Sequence, residues 1–174
     1  MDIFISSDNR QGEFIDAVLD EINRRQEAAR ESNIDIRPIY PPRGLGRQPA
    51  SLFERINQIR TASLVMMNVT PIGSLRQTVN DTVIEIPVIN SGVAIEFGIL
   101  MGINRIEKCH LFCSTTFRRG TISPLFLGQN IDAFDSNDTT ALKAQVGTYI
   151  AEFLRRCTDE FEHLASDVSF TNPT

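Results

Sequence analysis

Residues 90–102, NSGVAIEFGILMG, decide the fold of this chain. Turn-forming residues open the stretch, and an apolar run of about three helical turns follows, in which Glu96 is the only charged side chain. A helix that is apolar on nearly every side is typical of a buried helix. Gly98 and Gly102 are four residues apart on one face, so we expect that face to approach a sheet closely.

Glu96 is the first candidate for a functional residue. An ionised carboxylate in a buried helix is costly unless it is paired or faces a polar cavity. Two interpretations follow from the sequence: Glu96 faces a pocket at the edge of a sheet, or it forms a structural ion pair with an arginine from elsewhere in the chain. The helix alone does not decide between them.

Outward from this helix, apolar runs alternate with helical patterns along the whole chain. The helical patterns start near Arg10, Ser51 and Thr139, and residues 70–90 form a long connection in which 82–86 is a short strand or hairpin arm. We therefore predict one α/β domain over residues 1–174, with a polar tail from about 166. The domain has three layers, with a five-stranded, mostly parallel sheet and helices on both faces. The predicted strands are Ile3–Ile5, Ile34–Pro38, Leu64–Val69, Cys109–Cys113 and Asn130–Phe134.

Composition narrows the functional classes. The net charge of −5 argues against direct binding to nucleic acid, which usually goes with a basic surplus. No apolar run is long enough to span a bilayer, and the N-terminus lacks the pattern of a signal peptide. The three cysteines show no disulfide framework, so a cytoplasmic location is expected. Cys109, His110 and Cys113 are of the metal-ligand type, but on a strand His110 faces away from the two cysteines, so no metal site is predicted.

Ligands of parallel α/β sheets bind beyond the carboxyl ends of the strands. Three predicted segments meet at that edge: Ser6 and Ser7 after the first strand, Asn68 after the third, and the turn that leads to Glu96. This convergence favours a functional Glu96.

Further side chains are candidates for binding a ribose or a phosphate. Ser6, Ser7 and Ser91 are suited to such hydrogen bonds, although each is alternatively a cap or turn residue. Arg10 is predicted at the start of the first helix, where backbone N–H groups favour an anion. Arg43, in the Pro- and Gly-rich loop 40–49, either contacts a phosphate from a lid or belongs to a solvated connection.

Two stretches resemble a bacterial TIR-like nucleotide-binding family. They are residues 62–71, ASLVMMNVTP, and residues 89–98, INSGVAIEFG. The family pattern is a strand ending in an Asp-x-Thr-like step, an Asn-Pro-Asn-Val turn and a helix beginning x-x-Glu-Leu-Gly. The wider group is similar in fold to nucleoside deoxyribosyltransferases and nucleotide N-glycosidases, in which Gly-Val-Gly-Tyr-Glu-Leu-Gly resembles residues 92–98. Asn68 departs from the pattern, since many relatives carry aspartate there, and residues 90–92 replace the proline-containing turn.

The resemblance implies a flavodoxin/TIR-like fold and an N-glycosyl hydrolase or transferase acting on NAD or a related ribosyl nucleotide. Glu96 would be the catalytic carboxylate beside an oxocarbenium-like transition state. The ribose pocket would be lined by Ser6, Ser7, Asn68, Ser91 and Gly92. No cofactor is expected, because NAD or the nucleotide is the substrate.

Two alternatives stay open. One is a nucleoside monophosphate N-glycosidase or deoxyribosyltransferase, in which Asp81 or Glu85 could protonate the leaving base if the 70–90 connection folds over the pocket. The other is a module that binds a nucleotide signal without consuming it. The resemblance further implies a homo-oligomer and a role in antiphage defence.

Overall fold

The computed structural model describes residues 1–8, 11–40, 51–116, 123–126 and 128–169. The helices and strands alternate along most of this length, as the apolar pattern predicts. There are seven strands: β1 (Asp2–Ser6), β2 (Arg37–Ile39), β3 (Leu64–Asn68), β4 (Gly73–Val79), β5 (Thr82–Val88), β6 (Cys109–Ser114) and β7 (Ile131–Phe134). There are four α-helices: α1 (Gly12–Glu31), α2 (Leu52–Thr61), α3 (Ser91–Gly102) and α4 (Thr139–Ser169). Two short 3-10 helices span Ile106–Lys108 and Pro124–Phe126.

Five of the strands form one sheet in the order β2-β1-β3-β6-β7, with every pairing parallel. With the β4–β5 pair set aside, this is the strand order of flavodoxin-like folds. β3 is central and all five of its residues are buried, because helices cover both of its faces. The three-layer α/β architecture predicted from the sequence is confirmed.

Alternation along the strands divides the core between the two faces of the sheet. Ile3 and Met66 face the layer of α1 and α4, where the ring of Phe14 packs 5.2 Å from that of Phe112. Phe4 and Met67 face the opposite layer, which α2 and α3 cover. The sheet therefore has an apolar core on each face, and the buried polar side chains of its strands lie at the strand ends.

Polar side chains cap the N-termini of α2, α3 and α4. Ser51 and Glu54 form a capping box on α2, as the sequence around Ser51 predicts. The Asn90 side chain accepts hydrogen bonds from the first backbone N–H groups of α3. On α4 the capping acceptor is Asp138, one residue before the predicted Thr139, and the helix continues to Ser169, past the predicted start of a polar tail.

Several predicted details are wrong. β2 begins at Arg37 and not at Ile34, and it is an edge strand of only three residues. The polar residues before α1 predict Asp8 or Asn9 as its cap, but Gln11 occupies the N-cap position without a side-chain hydrogen bond, and Asn9 lies outside the described residues. Leu52, expected to face inward, is 61% exposed because α2 buries only the face that carries Ile59.

α3 is only half buried, although its sequence is apolar on nearly every side. Glu96 and Phe97 face the sheet, whereas Ile95 and Met101 are about half exposed. Gly98 and Gly102 are also exposed, and a Cβ atom added at either would meet nothing within 4 Å. The predicted close approach of these glycines to the sheet is therefore wrong: they lie on the outer face of the helix.

The connection from residue 70 to residue 90 is an ordered antiparallel ribbon of β4 and β5. Its turn is formed by Asn80 and Asp81, which both have positive φ values, 49° and 60°. Positive φ at both central residues is what a two-residue type I′ hairpin requires. The predicted short strand at 82–86 is β5, which continues to Val88, and β4 is the other arm of the hairpin. Among the described residues, no helix combines the length and the apolar character that crossing a bilayer needs.

Candidate functional site

Polar side chains are buried together where the strands of the large sheet end. Ser6 closes β1, Asn68 closes β3 and Ser114 closes β6, and none of the three is more than 5% exposed. Parallel strands bring their carboxyl ends to one edge, so these side chains lie near Ser7 and Glu96, which are also buried. This edge is where the sequence places the candidate site, and Ser6, Ser7, Asn68 and Glu96 all meet there.

Two side chains hold the Glu96 carboxylate. The Ser6 hydroxyl donates a hydrogen bond to Glu96 Oε2 at 2.5 Å. Arg55 Nε, from α2, lies 3.3 Å from Glu96 Oε1, and both side chains are nearly buried. The arginine that the second interpretation of Glu96 requires is therefore present, and it is Arg55.

Arg55 is itself held in place by its surroundings. Its guanidinium carbon lies 5.3 Å from the centre of the Phe4 ring, in a cation–π arrangement. One of its terminal nitrogens donates to Gln58 Oε1 at 3.3 Å. Nothing in the sequence singled out Arg55, because the contact joins two helices 41 positions apart. The only available signal was that α2 and α3 cover the same face of the sheet.

Burial dominates the electrostatics of Glu96. Desolvation raises the pKa of Glu96, and the Ser6 hydrogen bond and the Arg55 charge oppose this without cancelling it. Glu96 is thus a carboxyl group that accepts a proton more readily than an exposed glutamate does.

Asn68 organises the neighbouring hydrogen bonds. Its amide nitrogen donates to Gln11 Oε1 at 2.9 Å and to Ser7 Oγ at 3.3 Å. Its amide oxygen accepts from the backbone N–H of Thr70 at 3.0 Å and from the Thr70 hydroxyl at 2.5 Å. The Thr70 hydroxyl in turn accepts from Ser114 N–H at 2.8 Å, so the network links the ends of β3 and β6. With two donated and two accepted bonds, the Asn68 amide is saturated.

The start of α3 is tied to the segment that follows β1. Asn90 Nδ2 donates to Asp8 Oδ2 at 2.6 Å, while Asn90 Oδ1 accepts from Gly92 N–H at 2.8 Å. Ser91 and Gly92 are exposed in the first turn of the helix, beside the buried network and not inside it. Sequence reasoning missed Asp8 as a partner, although a carboxylate after β1 and an Asn cap on α3 both fit this edge.

The structure does not place the other sequence candidates with these buried side chains. Arg10 and Arg43 lie outside the described residues. Glu85 is on the ribbon, where it accepts from Arg76 Nε at 2.8 Å, and Asp81 forms the exposed turn. Both acids are exposed, and Glu85 is paired with Arg76, so the prediction that one of them protonates a leaving base gains no support.

A separate cavity of about 690 Å³ lies at the opposite ends of β6 and β7. The His110 ring stacks on that of Tyr149, with centroids 3.9 Å apart, and Tyr149 donates to Asp132 at 2.5 Å. Burial lowers the pKa of His110, and burial together with this hydrogen bond raises that of Tyr149 to about 12. Both groups are therefore neutral near pH 7, and Cys109, whose pKa burial raises to about 12, is a thiol there.

Comparison with solved structures gives distant neighbours, among them a flavodiiron core. No protein-family profile matches the sequence, and no curated protein matches it. The chain is similar to the metal-soaked flavodiiron core of Flv1 from Synechocystis sp. PCC6803, with a TM-score of 0.45 and 13% sequence identity. The similarity covers 90% of this chain and 36% of that chain, so this chain spans about a third of its length. Such a distant likeness says nothing about activity, which depends on the side chains of the site.

Proposed function

We propose that this chain is a nucleotide N-glycosidase that breaks the N-glycosidic bond of NAD or a related ribosyl nucleotide. The observation that supports it is the burial of the Glu96 carboxylate at the carboxyl edge of the sheet, beside Ser6 and next to Ser7 and Asn68. Ligands of this fold class bind at this edge. The class of reaction comes from the resemblance of residues 89–98 to TIR-like and N-glycosidase sequences.

In this reaction the role of Glu96 is to stabilise positive charge on the sugar. As the bond between C1′ and the nicotinamide nitrogen breaks, its electron pair passes to the positively charged ring, which leaves as neutral nicotinamide. Positive charge develops at C1′ and O4′, and an ionised carboxylate at that position stabilises it. Water then adds to C1′ and releases one proton. No acid is needed for this leaving group, which fits a site with Asn68 in place of an aspartate.

Arg55 sets a condition on this mechanism. While the guanidinium is paired with Glu96, part of the carboxylate charge is compensated and is not available to C1′. A ligand phosphate competes with Glu96 for the guanidinium, because it is negatively charged and accepts two parallel hydrogen bonds from it. Phosphate binding to Arg55 would therefore free Glu96 at the moment when the sugar is in place.

The test is release of free base by the purified chain. Incubation with NAD, and separately with nucleoside monophosphates, is followed by chromatography of nicotinamide or nucleobase. We expect nicotinamide release, and a loss of roughly 10²-fold or more in Glu96→Gln. Glu27→Gln is the matched control, because Glu27 is exposed on α1 and should leave the rate unchanged. Equal rates in Glu96→Gln and the parent chain would remove the mechanism, and base release from monophosphates alone would favour the deoxyribosyltransferase-like alternative.

A second candidate function is a module that binds a nucleotide without consuming it. The observation that favours it is the Arg55–Glu96 ion pair, since a carboxylate compensated by a buried guanidinium can be a purely structural group. Equilibrium dialysis against NAD, followed by mass spectrometry of the recovered ligand, separates the two functions. Saturable binding with intact NAD recovered after long incubation supports the module, and recovery of nicotinamide supports the enzyme.

A further inference from the structure

The β4–β5 ribbon stands apart from the main sheet and has two different faces. In its register Leu75 lies opposite Ile86, Gln77 opposite Ile84, and Val79 opposite Thr82. Residues directly opposite each other in an antiparallel pair share a face. One face therefore carries seven side chains that are apolar or uncharged, Leu75, Gln77, Val79, Thr82, Ile84, Ile86 and Val88. The other face carries the Arg76–Glu85 ion pair.

The apolar face is largely uncovered. Leu75 is 62% exposed, Ile84 44% and Val79 41%. A two-stranded hairpin in water is marginally stable unless its apolar face packs against something. Ile84, opposite Gln77, is the diagonal neighbour of both Leu75 and Val79, so the three form a contiguous apolar surface and not scattered surface residues.

The distribution of charge indicates what covers this face. Two copies of a chain with net charge −5 repel each other, so a self-contact is favoured where neither copy brings a charge. The apolar face meets this condition. Edge-to-edge pairing about a two-fold axis would bring like charges together. It would place the central Arg76 residues of two β4 strands, or the central Glu85 residues of two β5 strands, opposite each other.

We propose that two copies of this chain associate through the apolar faces of their β4–β5 ribbons, packed as two small sheets face to face. Side chains that alternate along both strands can interdigitate in such a packing, as in a sandwich core. Each ribbon has strands of seven residues and is therefore about 24 Å long. Two strands of this length offer a few hundred Å² per copy, well below the roughly 800 Å² per partner of a stable complex. The dimer is accordingly weak and depends on concentration.

Sedimentation equilibrium of the full chain, from micromolar to submillimolar concentration, tests the proposal. We expect a monomer–dimer equilibrium that the double variant Leu75→Thr/Ile84→Thr weakens by about tenfold or more. Val83→Thr is the matched control, because Val83 is 63% exposed on the opposite face and should leave association unchanged. A monomer at every concentration, or equal association of the parent and the double variant, overturns the proposal.

Cross-linking keeps the test independent of ribbon stability. Gln77→Cys places a thiol in the middle of the apolar face, and Thr78→Cys places one on the opposite face. With a short bismaleimide, a covalent dimer is expected from Gln77→Cys well above the level of the parent chain and of Thr78→Cys. Equal yields from the two variants contradict face-to-face packing.

Discussion

Replacing Arg55 by methionine should make the stability of the fold depend on the charge of Glu96. Glu96 is only 7% exposed, so without Arg55 its carboxylate keeps one partner, the Ser6 hydroxyl. Removing one member of a buried ion pair costs about 3–5 kcal/mol, and the remaining hydrogen bond places the expected loss near the lower value, about 3 kcal/mol at pH 7.

Protonation of Glu96 relieves this cost and fixes the sign of the pH dependence. The pKa of Glu96 is already raised by burial, and losing Arg55 raises it further. The folded state then holds a proton that the unfolded state has released, so stability falls as pH rises from the unfolded pKa through the folded one. The variant should therefore be closest to the parent chain in mild acid and furthest from it at neutral pH.

Urea unfolding at several pH values measures this effect. Arg76→Met is the control, because Arg76 and its partner Glu85 are exposed and the loss of such a pair costs about 1 kcal/mol or less. The double variant Arg55→Met/Glu96→Leu should regain most of the lost stability, because it leaves no uncompensated charge. If Arg55→Met costs no more than Arg76→Met at pH 7, the ion pair is not a buried one in solution.

Three further predictions concern stability alone. Burial lowers the pKa of His110, so in mild acid the unfolded state binds a proton that the folded state does not. The free energy of unfolding should therefore fall as pH drops below about 6.5, the ordinary pKa of histidine. Urea unfolding at several pH values should show a smaller fall in His110→Gln. Ser51→Ala removes the capping box of α2 and should cost about 1 kcal/mol by thermal or urea unfolding, whereas Ser51→Asp should restore most of it. Gly147→Ala would place a Cβ atom 2.6 Å from Glu21 Oε2 and 2.8 Å from Arg25 Nη2, between α4 and α1. It should cost about 1–3 kcal/mol despite the better helix propensity of alanine, and unchanged stability would mean that the two helices separate easily there.

The fold was predictable because its signal is local and repeated. The five apolar runs of the large sheet mark strands whose side chains are buried on one or both faces, and the helices between them carry apolar stripes. β2 was misplaced because its neighbourhood mixes polar and apolar residues, and an edge strand needs fewer apolar residues than a central one. In α3 the apolar composition exceeds what the fold buries, so Ile95 and Met101 face outward against expectation.

The full extent of the ribbon and the identity of the arginine that pairs with Glu96 were not predicted, for different reasons. The Asn80-Asp81 turn between alternating apolar residues is a hairpin signal, but the aspartate in place of the usual glycine makes it weak. The Arg55–Glu96 contact depends on how two helices pack, and the sequence spacing within each helix contains no information about that. The meeting of Ser6, Asn68 and Glu96 was predictable, since it follows from the direction of parallel strands and not from packing detail.

The saturated amide of Asn68 has a consequence for selectivity. A molecule that reaches this edge finds donors and acceptors already satisfied by one another, so each new bond to Ser7 or Gln11 must replace an existing one. The net gain in binding free energy per exchanged hydrogen bond is small. A ligand with mismatched groups leaves a buried donor or acceptor without a partner, which costs about 1–3 kcal/mol of binding free energy. This edge should therefore select among ligands more by excluding those with the wrong hydrogen-bonding pattern than by binding the right one tightly.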